Sequence, residues 1–313
     1  MPATSISIVI PLYNKERHIA DTLISVLEQS RPPDEIIVVN DGSTDGSGEA
    51  VGPFLTRGVK LVQQANQGES AARNAGVAAA TSEYVAFLDA DDFWRPSHVA
   101  VLQQLIEQFP HVGLLSTLHE IRFDGHTFLP RSPFMRGDMV LVEDFFISMA
   151  RGLSLVNSST ACAKRGALVE IGGFPIGVRK GPDIITWIRL ARRFGMAHAA
   201  EVTAVYNRDA THRVSLLRES EAPGSLLYLR DLIEHGDLRE TEKTSAGVLF
   251  DSISFYCAAG MKRDGDVHGV KTIRALAIGL RRWKLAAALS SISMTPAFLL
   301  AIAGRFRHKK IPG

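Results

Sequence analysis

The chain reads as an α/β protein with a mostly parallel central sheet, helices on both faces, and a C-terminal helical extension. Three observations point there. Short β-branched runs at residues 6–10, 36–39, 59–62 and 85–88 alternate with stretches of helical spacing over the first ninety positions. Two of these runs, 36–39 and 85–88, are continuously apolar, as strands covered on both faces are. Each run also leads into a polar loop, the place where an open α/β sheet binds its ligand.

The elements follow in order. Residues 5–10 form the first strand, which Pro11 ends because proline cannot donate to a ladder. Tyr13 then lies at the carboxyl edge of the sheet, either stacked on a base or packed on the next helix. Ile19, Leu23, Val26 and Leu27 mark a helix within 16–30 that Pro32-Pro33 stops. The second strand runs into Asn-Asp-Gly-Ser-Thr-Asp at 40–45, where Asp41 reads as a ligand contact and Asp45 as an Asx-turn or helix cap. A third strand at 59–63 precedes a small-residue helix at 67–80. Gly68 opens that helix with free N–H groups, and Arg73 lies one turn in, where it can reach a phosphate or hold Asp41.

The strand at 84–88 meets Asp-Ala-Asp-Asp at 89–92. Three carboxylates so close repel one another, and a hard cation such as Mg²⁺ or Mn²⁺ would relieve them. The plainer reading is a solvated acidic turn. Further on, 96–109 reads as a helix, 111–123 as a strand, 138–149 as a helix, 157–164 as a strand, and 165–171 as a short helix stopped by Gly172-Gly173. Asp183 follows Pro182 at the start of another helix, where the macrodipole keeps a carboxylate ionised, for base or cap alike.

Other classes are excluded. No Gly-X-Gly-X-X-Gly follows an early strand and no Gly-Lys-Ser/Thr occurs, so neither a dinucleotide dehydrogenase nor a P-loop protein is indicated. A nucleotidyltransferase would need a Gly-rich basic loop where Pro-Leu-Tyr-Asn stands. Cys162 and Cys257 match no metal or redox spacing, and read as thiols in a reducing compartment. The apolar run at 6–10 is too short for a signal peptide.

Four blocks recur in order: Pro-Leu-Tyr-Asn at 11–14, Val-Val-Asn-Asp-Gly-Ser-Thr-Asp at 38–45, Ala-Ala-Arg-Asn-Ala-Gly at 71–76 and Asp-Ala-Asp-Asp at 89–92. Together they resemble the signature blocks of family 2 glycosyltransferases, enzymes of GT-A fold. The resemblance covers roughly residues 5–215. It implies inverting transfer of a sugar from a nucleotide diphosphate donor to a hydroxyl acceptor, with a divalent Mn or Mg ion on the diphosphate. By the same resemblance Asp41 contacts the base, Pro11 and Tyr13 line its pocket, Arg73 supports base or diphosphate, Asp89 reaches the ribose and Asp91 ligates the metal. Asp92 either supports these groups or caps the following helix. The family's Gly-Gly-Phe and acidic pair correspond to Gly172-Gly-Phe174 and Pro182-Asp183, making Asp183 the general base. Trp187 then packs beside the acceptor or in the core. The closing block at 206–215 departs from the family pattern: Asn207 and Asp209 stand where Arg and His are usual, and His212 comes three residues late. Asp209 or His212 would complete the metal site or contact phosphate; His212 alone reads as a loop residue. Pro182 and this block also fit a nucleotide-sugar-binding homologue that has lost catalysis.

On this reading residues 1–215 are the catalytic domain and 216–313 the extension, with two helices over 216–265. Nine Lys and Arg and no acid follow Asp266, so residues 1–266 carry a net charge of −7 within a total of +2. Residues 285–304 carry no charge and have bases on both flanks. Helices lying on an anionic membrane surface fit that pattern; a packed hairpin or a single span are the alternatives. A tail anchored there would place the protein at the cytoplasmic face of the membrane, beside a lipid-linked acceptor, in cell-surface polysaccharide or glycolipid synthesis.

Overall fold

The computed structural model describes residues 4–152, 155–209, 221–294 and 309–310. Strands and helices alternate as the apolar runs require: β1 (Ile6–Leu12), α1 (Ile19–Leu27), β2 (Glu35–Asp41), α2 (Ser47–Leu55), β3 (Val59–Gln64), α3 (Glu69–Ala79) and β4 (Tyr84–Phe87). A two-residue strand, β5 (Phe93–Trp94), precedes α4 (His98–Gln108), β6 (Leu114–Phe123), β7 (His126–Leu129) and β8 (Met139–Leu141). Then come α5 (Phe145–Arg151), β9 (Ala161–Lys164), α6 (Arg165–Glu170), α7 (Pro182–Phe194) and β10 (Met196–Asn207). The helices α8 (Gly224–His235), α9 (Glu240–Arg263), α10 (Val267–Gly279) and α11 (Trp283–Met294) follow, and a short β11 (Lys309–Lys310) pairs with β7.

The sheet order is β11-β7-β6-β9-β4-β1-β2-β3, with β10 beside β5, β6 and β8. From β1 to β4 it is parallel, as expected. Beyond β4 it is mixed, because β9 enters antiparallel to both β4 and β6. Pro11 does not end β1: the strand continues to Leu12 against β2. Its ladder to β4 stops at Val9↔Phe87, so the missing N–H falls where one neighbour has already left. The helix expected over 138–149 is half strand, since Met139–Leu141 pair with β10. β5 and β10 are additions that no apolar run announced. Gly172 and Gly173 do stop α6, with φ of 79° and 67°.

Alternation along the strands builds two cores. Ile8, Ile10 and Val38 face α1, α2 and α4. Val9, Val39 and Phe87 face the other way, into a cluster that runs through α3, α5 and α7 to α8–α11. The C-terminal helices thus share one core with the sheet. Within the uncharged run, α11 spends Leu285, Leu289 and Ile292 on that core, the packed alternative for this part of it. Among the described residues no helix is long and apolar enough to cross a membrane.

The small residues of α3 let it sit close to β1. A Cβ on Gly76 would fall 2.3 Å from Val9 Cγ1, in a fully buried strand with nowhere to retreat. Gly76→Ala should therefore destabilise the fold by about 1–3 kcal/mol in chemical denaturation, and adding Val9→Ala should recover part of that loss.

Candidate functional site

The carboxyl ends of β1, β2 and β4 and the N-terminus of α7 carry the residues that the sequence singles out. Arg73, on the first turns of α3, is only 1% exposed. Its Nη2 donates to Asp89 Oδ1 at 2.7 Å and pairs with Glu69, one helical turn back. The guanidinium also lies 5.4 Å from the Phe174 ring centroid. Burial alone would weaken its hold on the proton. The carboxylates of Glu69, Asp89 and Asp183 outweigh that, and the guanidinium stays charged.

Asp183 is half-buried in the first turn of α7. Burial pushes its pKa above the ordinary carboxylate value and Glu69 adds to this, while Arg73 and the backbone N–H groups of Ile184 and Asp183 oppose. Arg73 therefore puts Asp89 and Asp183, ninety-four positions apart in the chain, into one electrostatic field. The docking of the intervening Gly-Gly-Phe loop shows how. Asn74, the neighbour of Arg73, accepts from the Phe174 N–H and donates to the Phe174 carbonyl, both at 2.8 Å. A side chain on Gly173 would strike Asn74 Oδ1, and its φ of 67° also suits glycine. Trp187 is fully buried, with its ring 5.4 Å from Phe174 and 5.9 Å from Phe87. It thus takes the core-packing reading and presents nothing to an acceptor.

The acidic cluster does not converge on one point. Asp89 turns to Arg73, and Asp91 Oδ2 accepts from Lys15 Nζ at 2.7 Å. Asp92, 1% exposed, accepts from Ser159 Oγ and from the Asn207 N–H at 2.9 Å. Burial raises its pKa, and Asp89 and Asp91 raise it further. Asp92 is no helix cap: it ties the acidic loop to the end of β10. Burial likewise raises Asp89; Arg73 pulls it back, and Glu69 and Asp91 push it up again.

Asp41 is buried and accepts from Gln64 Nε2 at 2.6 Å and from the N–H groups of Gln67 and Gly68 at 2.9 and 2.8 Å. It fastens the entry of α3 to the end of β2, while the Arg73 guanidinium turns to Glu69 and Asp89. Asp45 accepts from the Ser47 N–H at 3.0 Å, the local turn expected of it. Tyr13 is 46% exposed just past β1, and Pro11 is partly exposed within the strand. Asp209 accepts from the Asp124 N–H at 2.8 Å, pinning the β6–β7 turn. His212 lies outside the described residues.

A divalent ion would find oxygen donors here. Among the described residues no group of three or more His, Cys, Asp or Glu side chains could hold a metal alone. Asp91 offers a single carboxylate, which suits Mg²⁺ or Mn²⁺ carried on phosphate oxygens better than a cation caged by protein. Two described clefts lie apart from these residues. One, of about 450 Å³, is lined by Asp21, Phe93, Arg95, Glu120 and Arg122 among others; the second, of about 380 Å³, is lined by Arg189, Arg192, Arg193 and Tyr228 with Ile171.

Lys15, Glu69 and Ser159 escaped sequence reasoning. The Glu-to-Arg spacing of four in a helix was a usable signal for Glu69; nothing local marks the other two.

Comparison with known proteins narrows the reading. Residues 7–162 match the model of "Glycosyl transferase family 2". An uncharacterised glycosyltransferase of Nostoc sp. (alr2836) is 41% identical over 119 residues, covering 37% of this chain and 36% of that protein. Glycosyltransferase GlyA of Streptococcus pneumoniae is 38% identical over 106 residues, 33% of this chain and 15% of its own. The matched segments thus span little more than a third of these relatives at most. In structure, Staphylococcus aureus TarS 1–349, solved with UDP-GlcNAc, superposes with a TM-score of 0.71 at 18% identity, covering 87% of this chain and 80% of that one. The mannosyltransferase PcManGT of Pyrobaculum calidifontis, solved with GDP-Man and Mn²⁺, gives 0.54 at 20% identity, covering 93% and 86%. At these identities the structural likeness speaks for the fold, which is that of the GT-A neighbours. Through the domain that opens in β1 and closes in β9, the chain belongs to glycosyl transferase family 2.

Proposed function

We propose that the protein transfers a sugar from a nucleoside diphosphate donor to an acceptor hydroxyl with inversion at the anomeric carbon. The observation that carries this is the shared field of Arg73 over Asp89 and Asp183. The carboxylate we assign to the ribose and the one we assign to the acceptor proton thus lie in the field of one buried cation. The bound nucleotides of TarS and PcManGT support the donor class.

Tyr13 and Pro11 flank the base, and Asp41 accepts from its ring N–H through the one Oδ2 lone pair that Gln64, Gln67 and Gly68 leave. Asp89 takes the ribose hydroxyls. Asp91 meets the divalent ion, which when bound offsets charge on the departing diphosphate. Asp183 removes the acceptor proton as the hydroxyl oxygen attacks the anomeric carbon and the bond to the diphosphate breaks. Direct attack of that oxygen at the anomeric carbon is a single displacement, and a single displacement inverts the centre. A base whose pKa is lifted by burial accepts that proton more readily than an ordinary carboxylate. Asp209, engaged on the β6–β7 turn, and His212 stay candidates for phosphate contact.

The setting follows from the tail. Exposed Trp283 stands between Arg281 and Lys284, at the corner where α10 meets α11. An anionic membrane surface at the cytoplasmic face suits that corner, and a lipid-linked acceptor in polysaccharide or glycolipid synthesis suits that surface.

Two outcomes test the chemistry. Asp183→Asn should cut kcat by about 10²-fold or more while leaving UDP or GDP binding intact in calorimetry. If the wild-type chain binds nucleotide yet turns over no donor in a panel of nucleotide sugars, it is instead a binding homologue. In the wild type, log(kcat/KM) should fall as the pH drops through the raised pKa of Asp183, since the base works only ionised. That acid limb should lie above the ordinary aspartate range.

A further inference from the structure

Lys15 sits in a mount. Its N–H donates to Ser47 Oγ at 2.7 Å. On one side, the Asn14 N–H donates to Ser43 Oγ at 3.1 Å, and Asn14 Oδ1 accepts from the Thr44 N–H at 2.9 Å. On the other, Glu16 Oε2 accepts from the Gly46 N–H at 2.9 Å, and the Glu16 N–H donates to Asp45 Oδ2 at 3.3 Å. Asn14 has a φ of 51°, a left-handed conformation that asparagine tolerates. The β1–α1 loop is thereby clamped to the β2–α2 loop, and the Lys15 ammonium is delivered to Asp91 Oδ2 at 2.7 Å. The two side chains are only 12% and 13% exposed, so water screens the pair little.

The other two acids of the loop have their own partners, Arg73 for Asp89 and Ser159 with Asn207 for Asp92. Asp91 is the carboxylate assigned to the cation, and it is the one that an ammonium covers. An ammonium at hydrogen-bond distance and a divalent ion repel across one carboxylate, and in this partly dry setting the repulsion is large. A diphosphate changes that balance. It brings oxygens for the cation and an anionic acceptor for the ammonium.

We propose that Lys15 is the resident counter-ion of Asp91 and keeps divalent cations off that carboxylate until a diphosphate arrives to take over the ammonium. The diphosphate part rests on the function proposed above; the exclusion of the cation does not. Cation and nucleotide then bind as a coupled pair. By linkage each tightens the other by the same factor, and part of that factor resides in Lys15.

The test is Mn²⁺ binding to the nucleotide-free full chain, followed by electron paramagnetic resonance of the free ion, in wild type, Lys15→Met and Lys15→Gln. Circular dichroism and thermal melting report whether each variant is folded, and the glutamine variant retains a polar contact to Asp91 should methionine disturb the loop. The neutral variants should bind Mn²⁺ about tenfold more tightly than wild type or better. Calorimetry with UDP and GDP, with Mn²⁺ and with EDTA, should show a smaller tightening of nucleotide by Mn²⁺ than in wild type. Folded variants whose nucleotide-free Mn²⁺ affinity stays within about twofold of wild type overturn the proposal, as does an absence of measurable Mn²⁺ binding in both. Failure of the wild type to bind UDP or GDP in the presence of Mn²⁺ counts against the donor reading, while the nucleotide-free arm still decides the role of Lys15.

Discussion

The ion pair between Arg73 and Asp89 holds the architecture of the site together. A guanidinium with 1% exposure has to be compensated, and the compensation comes from three parts of the chain: Glu69 on its own helix, Asp89 at the end of β4 and Asp183 at the start of α7. Removing one partner of a buried pair generally costs about 3–5 kcal/mol, because the other charge is stranded. The same expense explains why α3 is made of small residues. The helix lies pressed against β1, with Gly76 on Val9, and from it Arg73 reaches Asp89 at the end of β4.

The neighbouring asparagine extends this logic to the second half of the fold. Asn74 grips both backbone groups of Phe174, while the ring of Phe174 lies under Arg73 and against Trp187. Helix α7 is thus held by contacts from α3, and its first turn brings Asp183 into the field of the guanidinium. A carboxylate from a late helix and one from an early strand can share one field only if something rigid spans them. Here that span is two consecutive side chains of one helix.

The alternation of strand and helix was legible because buried parallel strands and their helices leave distinct periodicities. Three of the four motifs were legible because each leaves a strand at the ligand edge, and the fourth, at 71–76, because its small residues mark the helix α3. Strands β5 and β10 were hidden: two residues are too short to show a period, and β10 carries His198, Glu201 and Thr203 among its alanines. Asp92 stayed open between a supporting group and a helix cap for a different reason. Its partners, Ser159 and Asn207, are 67 and 115 positions away, and no local spacing announces them. The repulsion within Asp-Ala-Asp-Asp suggested a cation between the carboxylates. The fold eases part of it by turning each acid to its own partner, though Asp89 and Asp92 still feel their neighbours. Trp187 shows the converse case, where motif position pointed toward an acceptor and the aromatic cluster claims the ring.

The central claim is that Arg73 and Asp183 share one electrostatic environment. It is tested most directly by measuring the pKa of the Asp183 carboxyl, by ¹³C NMR, in the wild type and in a folded Arg73→Met variant. Burial raises this pKa and the guanidinium lowers it, so removal of the guanidinium should raise it further. An Asp183 pKa that is the same in both proteins would place this carboxyl outside the reach of Arg73 and contradict the account.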